Sequence, residues 1–332
     1  MNVLLATIAL TAATLIPLND LGNREYGFGW FGGLWDVHNT GDVTIPADHA
    51  AAGLNQASLI VPRDSAGNPD PNGKIVFLSV GYGNTAKTFD QFTQMVAADT
   101  NVNHESLVVL NGAGDHLDST KWEQPFQQVY GDLVNKVLVP AGVTEAQVQA
   151  VWIQQINENP FTPLPIQYAD SYLVKASVAN TLRALKQHYP NLAVAYLSDP
   201  EYGGYDTSHT LGEPFAYEDG FVPRWVVLGQ IEFIHKGEMW DPRIGDLSYT
   251  EGKAPWATWG PYMWAEGTIP RSDGLTWQRS DFESDGFTLS DAGSKKSAGL
   301  LMNFMLHEPT ASHWFTVTTT TPAPARHRSV RH

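Results

Sequence analysis

This sequence predicts an α/β fold built on a parallel sheet, and three features point there. The first is a set of four short apolar runs: KIVFLSV (74–80), SLVVLNG (106–112), VQAVWIQQ (148–155) and LAVAYLS (192–198). Continuous apolar runs of this length, closed by turn residues, read as strands buried on both faces. The second is the helical spacing between them, clearest from Ser171 to His188 with Leu173, Ala176, Leu182 and Leu185 on one side. That helix should stop at Tyr189-Pro190, because a proline cannot continue it. The third is the alternation itself: strand then helix implies right-handed crossovers, with a site at the carboxyl ends of the strands.

The remaining segments are expected to be arranged around this core. The opening stretch is rich in Gly, Asn and Pro and ends in the loop SAGNPDPNG. From Gly203 to Gly286 the periodicity dissolves into loops that carry six of the 11 tryptophans. A last helix is expected over about 292–306. It should be followed by a low-complexity tail, TVTTTTPAPARHRSVRH, whose composition cannot bury a core. The division expected is an apolar N-terminal segment over 1–26, one α/β domain over 27–308 with the Trp-rich region at 203–286, and a Thr/Pro-rich basic tail over 309–332. Residues 3–18 are apolar apart from threonines and short for a membrane span. They fit either a secretory signal with small residues at Ala12 and Ala13, or a segment that stays and packs, even against another subunit.

Composition narrows the function classes. The formal net charge is −15, from 20 basic and 35 acidic residues, a surface that repels phosphate backbones and anionic lipid. Neither nucleic acid nor a membrane span is expected. There are no cysteines, so disulfides, thiolate metal sites and a cysteine nucleophile are excluded. GDHLDS (114–119) gathers Asp115, His116 and Asp118, and Asp36, His38, Asp48 and His49 lie upstream. Neither group has the spacing of a metal loop, so no metal or cofactor is expected, and His49 is expected to make a structural hydrogen bond.

Seven segments taken in order resemble a known family: DPNGKIVFLSVGYGNTAKTF, LVVLNGAGD, VWIQQINENP, LSDPEYGGY, AYEDGFVPRW, APWATWGPYMWAEGTIPRSDGL and DFESDGFTLSDAGSKK. Over roughly residues 27–306 the chain is similar to SGNH (GDSL-like) hydrolases of environmental bacteria. The resemblance implies a three-layer α/β/α sandwich of flavodoxin-like type, with a serine nucleophile in a Gly-x-Ser-Asn-Thr element after the first strand. This sequence reads Gly81-Tyr82-Gly83-Asn84-Thr85, so Gly83 stands at the nucleophile's place. In the turn SDGFTLSDAG the base's place holds Thr288, beside the acid position Asp285. Glycine cannot attack a carbonyl, and a threonine hydroxyl cannot accept a proton near neutrality. The resemblance also implies oxyanion-side or binding roles for Gly112 and for Gln155 or Asn157.

The expectation is therefore a catalytically inactive SGNH-like protein, secreted or at the cell surface. It would bind a glycan or other small neutral ligand, or self-assemble as a homo-oligomer or filament. The alternative is a residual carboxylesterase or carbohydrate deacetylase with a non-standard site. Each residue singled out has a plainer reading beside it. Gly112, Gln155 and Asn157 would also suit a tight turn and a capped strand end. Asp285 would suit a turn that bonds backbone amides. Tyr82 would face the pocket as an aromatic or fill the space left by the lost nucleophile, and Ser79 would be buried within its strand. Trp256, Trp259 and Trp264 would either line the pocket as sugar-stacking faces or pack the loop-rich half.

Overall fold

The computed structural model describes residues 15–22, 24–26, 30–31, 44–208, 210–239 and 241–317. Five strands form one parallel sheet: β1 (Ile75–Gly81), β2 (Leu107–Leu110), β3 (Val148–Gln154), β4 (Val194–Ser198) and β5 (Trp256–Trp259). Their order across the sheet is β2-β1-β3-β4-β5. Direction reverses at β1, so the crevice between the β1 and β3 carboxyl ends is where such a sheet opens to a ligand. A short antiparallel pair, Glu25–Tyr26 with Trp30–Phe31, stands apart.

Six helices matter for the layers: α1 (Ala47–Ala57), α2 (Gly83–Ala98), α3 (Asp170–His188), α4 (Phe221–Lys236), α5 (Asp291–His307) and α6 (Pro309–Phe315). The strands bury both faces by alternation. Val76, Leu78, Val80, Val151, Ile153 and Leu197 pack with Val178, Leu182 and Leu185 of α3 and Val226 and Val227 of α4. Phe77, Trp152, Val194 and Tyr196 pack on the other side with Phe89 and Phe92 of α2, Leu301 and Met305 of α5, and Trp314 and Phe315 of α6. The result is a three-layer α/β/α sandwich. Period-two alternation gives each face its own core.

Four of the five strands and the helices α3 and α5 lie where the sequence places them. Three expectations are corrected. The stretch 203–286 is not all loop, since it contains α4 and the edge strand β5. Helix α4 (FVPRWVVLGQIEFIHK) buries ten of its residues, so it shows no polar face and no readable stripe. β5 is only WATW, too short to register as an apolar run.

The tail begins later than expected. Residues 309–315 are helix α6, whose Trp314 and Phe315 are buried, and Asn103 N–H donates to the Phe315 carbonyl at 2.9 Å. On α3 the buried stripe is Val174, Val178, Leu182 and Leu185, and Leu173 is 52% exposed. Leu18 is fully buried and its N–H donates to Tyr262 Oη at 3.1 Å, so the later part of the 1–26 segment packs into the domain. The expected cleavage site near Ala12 and Ala13, like Asp36, His38 and Trp240, lies outside the described residues. No helix among the described residues is long and apolar enough to cross a membrane.

Candidate functional site

A cleft of about 600 Å³ opens at the carboxyl end of the sheet. Tyr82 follows β1, the start of α2 contributes Gly83, Asn84 and Lys87, and the loop after β2 contributes Asp115 and His116. Glu158 and Asn159 come from the loop after β3, Ser208 and Thr210 from the long segment after β4, and Asp285, Phe287 and Thr288 from the turn before α5. The structure thus brings together Gly83, Asp285 and Thr288, the three triad positions implied by the resemblance.

The turn is held to α2 by residues whose purpose was not evident from the sequence. Asn84, 3% exposed, donates through Nδ2 to the Phe287 carbonyl at 2.9 Å and accepts the Leu289 N–H at 2.9 Å. Lys87 Nζ donates to the Leu289 carbonyl at 2.9 Å. Thr85 Oγ1 donates to the Gln154 carbonyl at 2.9 Å, tying the start of α2 to the end of β3. The Asn-Thr half of the GYGNT element therefore serves as scaffold. Polar residues at a helix start beside a strand end are the one sequence signal for it.

Asp285 acts as a turn former. Its Oδ1 accepts the N–H groups of Phe287 (3.0 Å) and Thr288 (2.9 Å), and its Oδ2 accepts the Thr288 hydroxyl at 2.6 Å. Burial acts to raise its pKa, but the Thr288 hydroxyl and these amides outweigh that and hold it below the ordinary range. Gly286 takes φ +76 in this turn, and a Cβ there would lie 1.7 Å from the Tyr205 carbonyl oxygen, so only glycine fits.

Asp115 reaches the place in front of Gly83, the position to which the resemblance gives a nucleophile. A Cβ added at Gly83 would lie 2.6 Å from Asp115 Oδ1, so the carboxylate stands where a serine side chain would project. Next to it, His116 has φ +60 and points Nδ1 towards Glu158 Oε2 at 3.6 Å. The sequence shows these residues only as a polar loop, because a parallel sheet joins β1 and β2 through a distant crossover.

The oxyanion-side candidates are elsewhere. Gly112 N–H donates to Ser79 Oγ at 3.1 Å, and a Cβ at Gly112 would crowd Leu133 Cδ2 at 2.7 Å. It is a tight turn under the loop. Ser79 is fully buried and donates to Asn111 Oδ1 at 2.7 Å. Asn157 donates to Asp170 Oδ1 at 2.5 Å, and Gln155 faces a small interior gap with Val178 and Asp219. None of the three lines the cleft.

The tryptophans are core residues too. Trp256 is buried and stacks on His49, whose Nε2 lies 3.0 Å from the Ala257 carbonyl. Trp264 is buried and donates to Glu213 Oε1 at 2.7 Å, and Trp259 is 4% exposed at the edge strand. Of the four expected pocket aromatics only Tyr82 borders the cleft. It is 1% exposed, with its ring 6.0 Å from Phe287 and its hydroxyl 3.5 Å from Glu201 Oε2.

No family model matches the chain, and no curated protein matches it. Among the solved structures similar to it are two of low identity. A provisionally named GDSL-like lipase from Parabacteroides merdae is 12% identical over 77% of this chain and 99% of its own, with a TM-score of 0.38. A gut microbial diltiazem-metabolizing enzyme is 8% identical over 69% of this chain and 46% of its own, with a TM-score of 0.35.

Proposed function

We propose that this SGNH-like chain does not hydrolyse esters and uses the cleft to hold a small neutral ligand rich in hydroxyl groups, a sugar or polyol in kind. One observation carries the reading: the nucleophile's position is Gly83, faced by a carboxylate, and the base's position is a threonine bound to its own turn. Losing members of a triad removes roughly 10⁴ to 10⁶ of its rate. Hydroxyl-bearing ligands suit what remains. Asp115, Glu158 and Asp285 offer acceptors, Asn159, Ser208 and Thr210 offer both donors and acceptors, and Phe287 offers an apolar face. A secreted or cell-surface setting, with self-assembly through the apolar N-terminus and the Thr/Pro tail, belongs to the same proposal.

The observation favouring residual hydrolysis is the His116–Glu158 pair in the same cleft. A fluorophosphonate probe and a chromogenic acetate ester separate the two readings. The expected result is no labelling and turnover at the buffer rate. A covalent adduct lost on replacing one serine, or turnover that tracks with His116, would overturn the proposal. Sedimentation at high concentration tests assembly, and a lone monomer would remove that part.

A further inference from the structure

A second cavity, sharing no residue with the cleft, lies where the loop after β3 meets α3. It holds about 480 Å³ and is lined by Pro165, Gln167, Tyr168, Tyr172, Leu173 and Arg243. It carries an arginine on a chain of net charge −15. Tyr168 is 70% exposed and Leu173 52%, so apolar groups face water here without cover from the described residues.

Two of the lining residues, Tyr172 and Arg243, belong to a cation cluster. Lys175 is buried and pairs with Asp241 Oδ2 at 2.5 Å, with its Nζ 4.7 Å from the Tyr172 ring centre and 4.9 Å from that of Trp225. Arg243 also lies over Tyr172, its guanidinium carbon 4.6 Å from the ring centre, and Nε donates to Asp241 Oδ1 at 3.1 Å. Burial alone would raise Asp241, but the hydrogen bonds from Lys175 and Arg243 prevail and hold it at about 2. One carboxylate thus answers two cations, leaving a surplus positive charge. Among the described residues the two Nη groups of Arg243 make no hydrogen bond, although stacking and the Nε bond fix the plane they lie in. A guanidinium fixed in orientation, with a free outer edge, is set to take a carboxylate through two parallel hydrogen bonds.

We propose that this cavity binds a small carboxylate carrying an aromatic or branched apolar group. The carboxylate pairs with the Nη edge of Arg243, the apolar part lies against Tyr168 and Leu173, and the Gln167 amide is available at the rim. The reverse orientation is disfavoured because it would leave the carboxylate against apolar walls and the guanidinium edge unpaired. The acidic groups that face Tyr172 do not cancel the attraction. Asp241 is already doubly bonded, and Glu218 is held by the Tyr26 hydroxyl and the Leu164 N–H.

Titration calorimetry of the full chain with phenylacetate tests this, with 2-phenylethanol as the uncharged counterpart. Saturable binding of phenylacetate is expected, at least tenfold weaker for 2-phenylethanol and at least tenfold weaker in Arg243→Gln. Because Arg243 also bonds Asp241, a second variant, Leu173→Asp, changes only an exposed position on the wall and should weaken binding similarly at unchanged melting temperature. Absence of binding, equal binding of the alcohol, or full affinity in a folded Leu173→Asp protein would overturn the proposal. An unchanged affinity in Arg243→Gln would do the same.

Discussion

A protein carrying Gly83→Ser, Thr288→His and Asp115→Ala together is expected to hydrolyse a chromogenic acetate ester roughly a hundredfold faster than any single variant, the gain that a positioned base typically supplies. The double variant that keeps Asp115 should fall about tenfold short of the triple. The reason lies in the space in front of Gly83. A serine there would project to within 2.6 Å of Asp115 Oδ1, and its hydroxyl would donate to that carboxylate rather than to the new imidazole. Removing Asp115 frees the hydroxyl for the histidine. The scaffold for the pair already exists, since Asn84 clamps the 285–289 turn to α2 and Asp285 stands three residues before the base's place. The start of α2 supplies unspent N–H donors for a developing oxyanion. Initial rates of the five purified proteins at pH 7.5 decide it. A folded triple variant no faster than the single variants would show that the oxyanion side has drifted, in keeping with a Gly112 N–H already spent on Ser79.

What the sequence conveyed, and what it did not, follows from how each feature is encoded. Strands buried on both faces appear as unbroken apolar runs, so β1 to β4 could be read directly, whereas their order across the sheet could not. That glycine and threonine stand at positions 83 and 288, where the resemblance implies a serine and a histidine, needed no geometry to see. Three-dimensional convergence was not legible. Asp115 meets Gly83, and His116 meets Glu158, across crossovers of tens of residues, and a local window sees each only as a solvated loop. For Gly112, Gln155 and Asn157 the resemblance implied donors in the cleft, and the plainer reading a tight turn and a capped strand end. The structure has Ser79, the interior beside Val178, and Asp170 engaging them. The tryptophans lent themselves to two readings because an exposed sugar platform and a buried packing group have the same composition. Only burial separates them.

Melting temperature is expected to fall by at least about 5 °C between pH 5.5 and pH 8.5, because the wall behind the cleft is built on buried acids. Burial raises Asp199, Glu213 and Glu218 each to about 7, and raises Glu201 and Asp219 as well. Hydrogen bonds oppose this without prevailing. Asp199 accepts the N–H groups of Met263 and Trp264, and Glu213 accepts Gly203 N–H and Trp264 Nε1. Unfolded carboxyls titrate near 4, so between about pH 4 and 7 the folded chain binds more protons than the unfolded one. Stability from these groups is complete below that range and is lost as pH rises through 7. Each pKa unit corresponds to ~1.4 kcal/mol, and in a chain of this size ~1 kcal/mol moves the melting point by ~2 °C. His49 works in the opposite direction. Burial lowers it to about 4, so its contribution is present above about 6.5 and lost as pH falls towards 4. One histidine against three or more acids leaves the slope negative from pH 5.5 to about 7, above which these groups add none. Glu213→Gln should flatten it by removing one titrating group. The cleft feels the same transition, since Glu201 accepts the Ser297 hydroxyl at 2.7 Å and lies beside the Tyr82 hydroxyl that backs the cleft wall. A melting point that stays level or rises from pH 5.5 to 8.5 would mean that these acids are ionised in the fold and balanced by charges the hydrogen-bond pattern does not reveal.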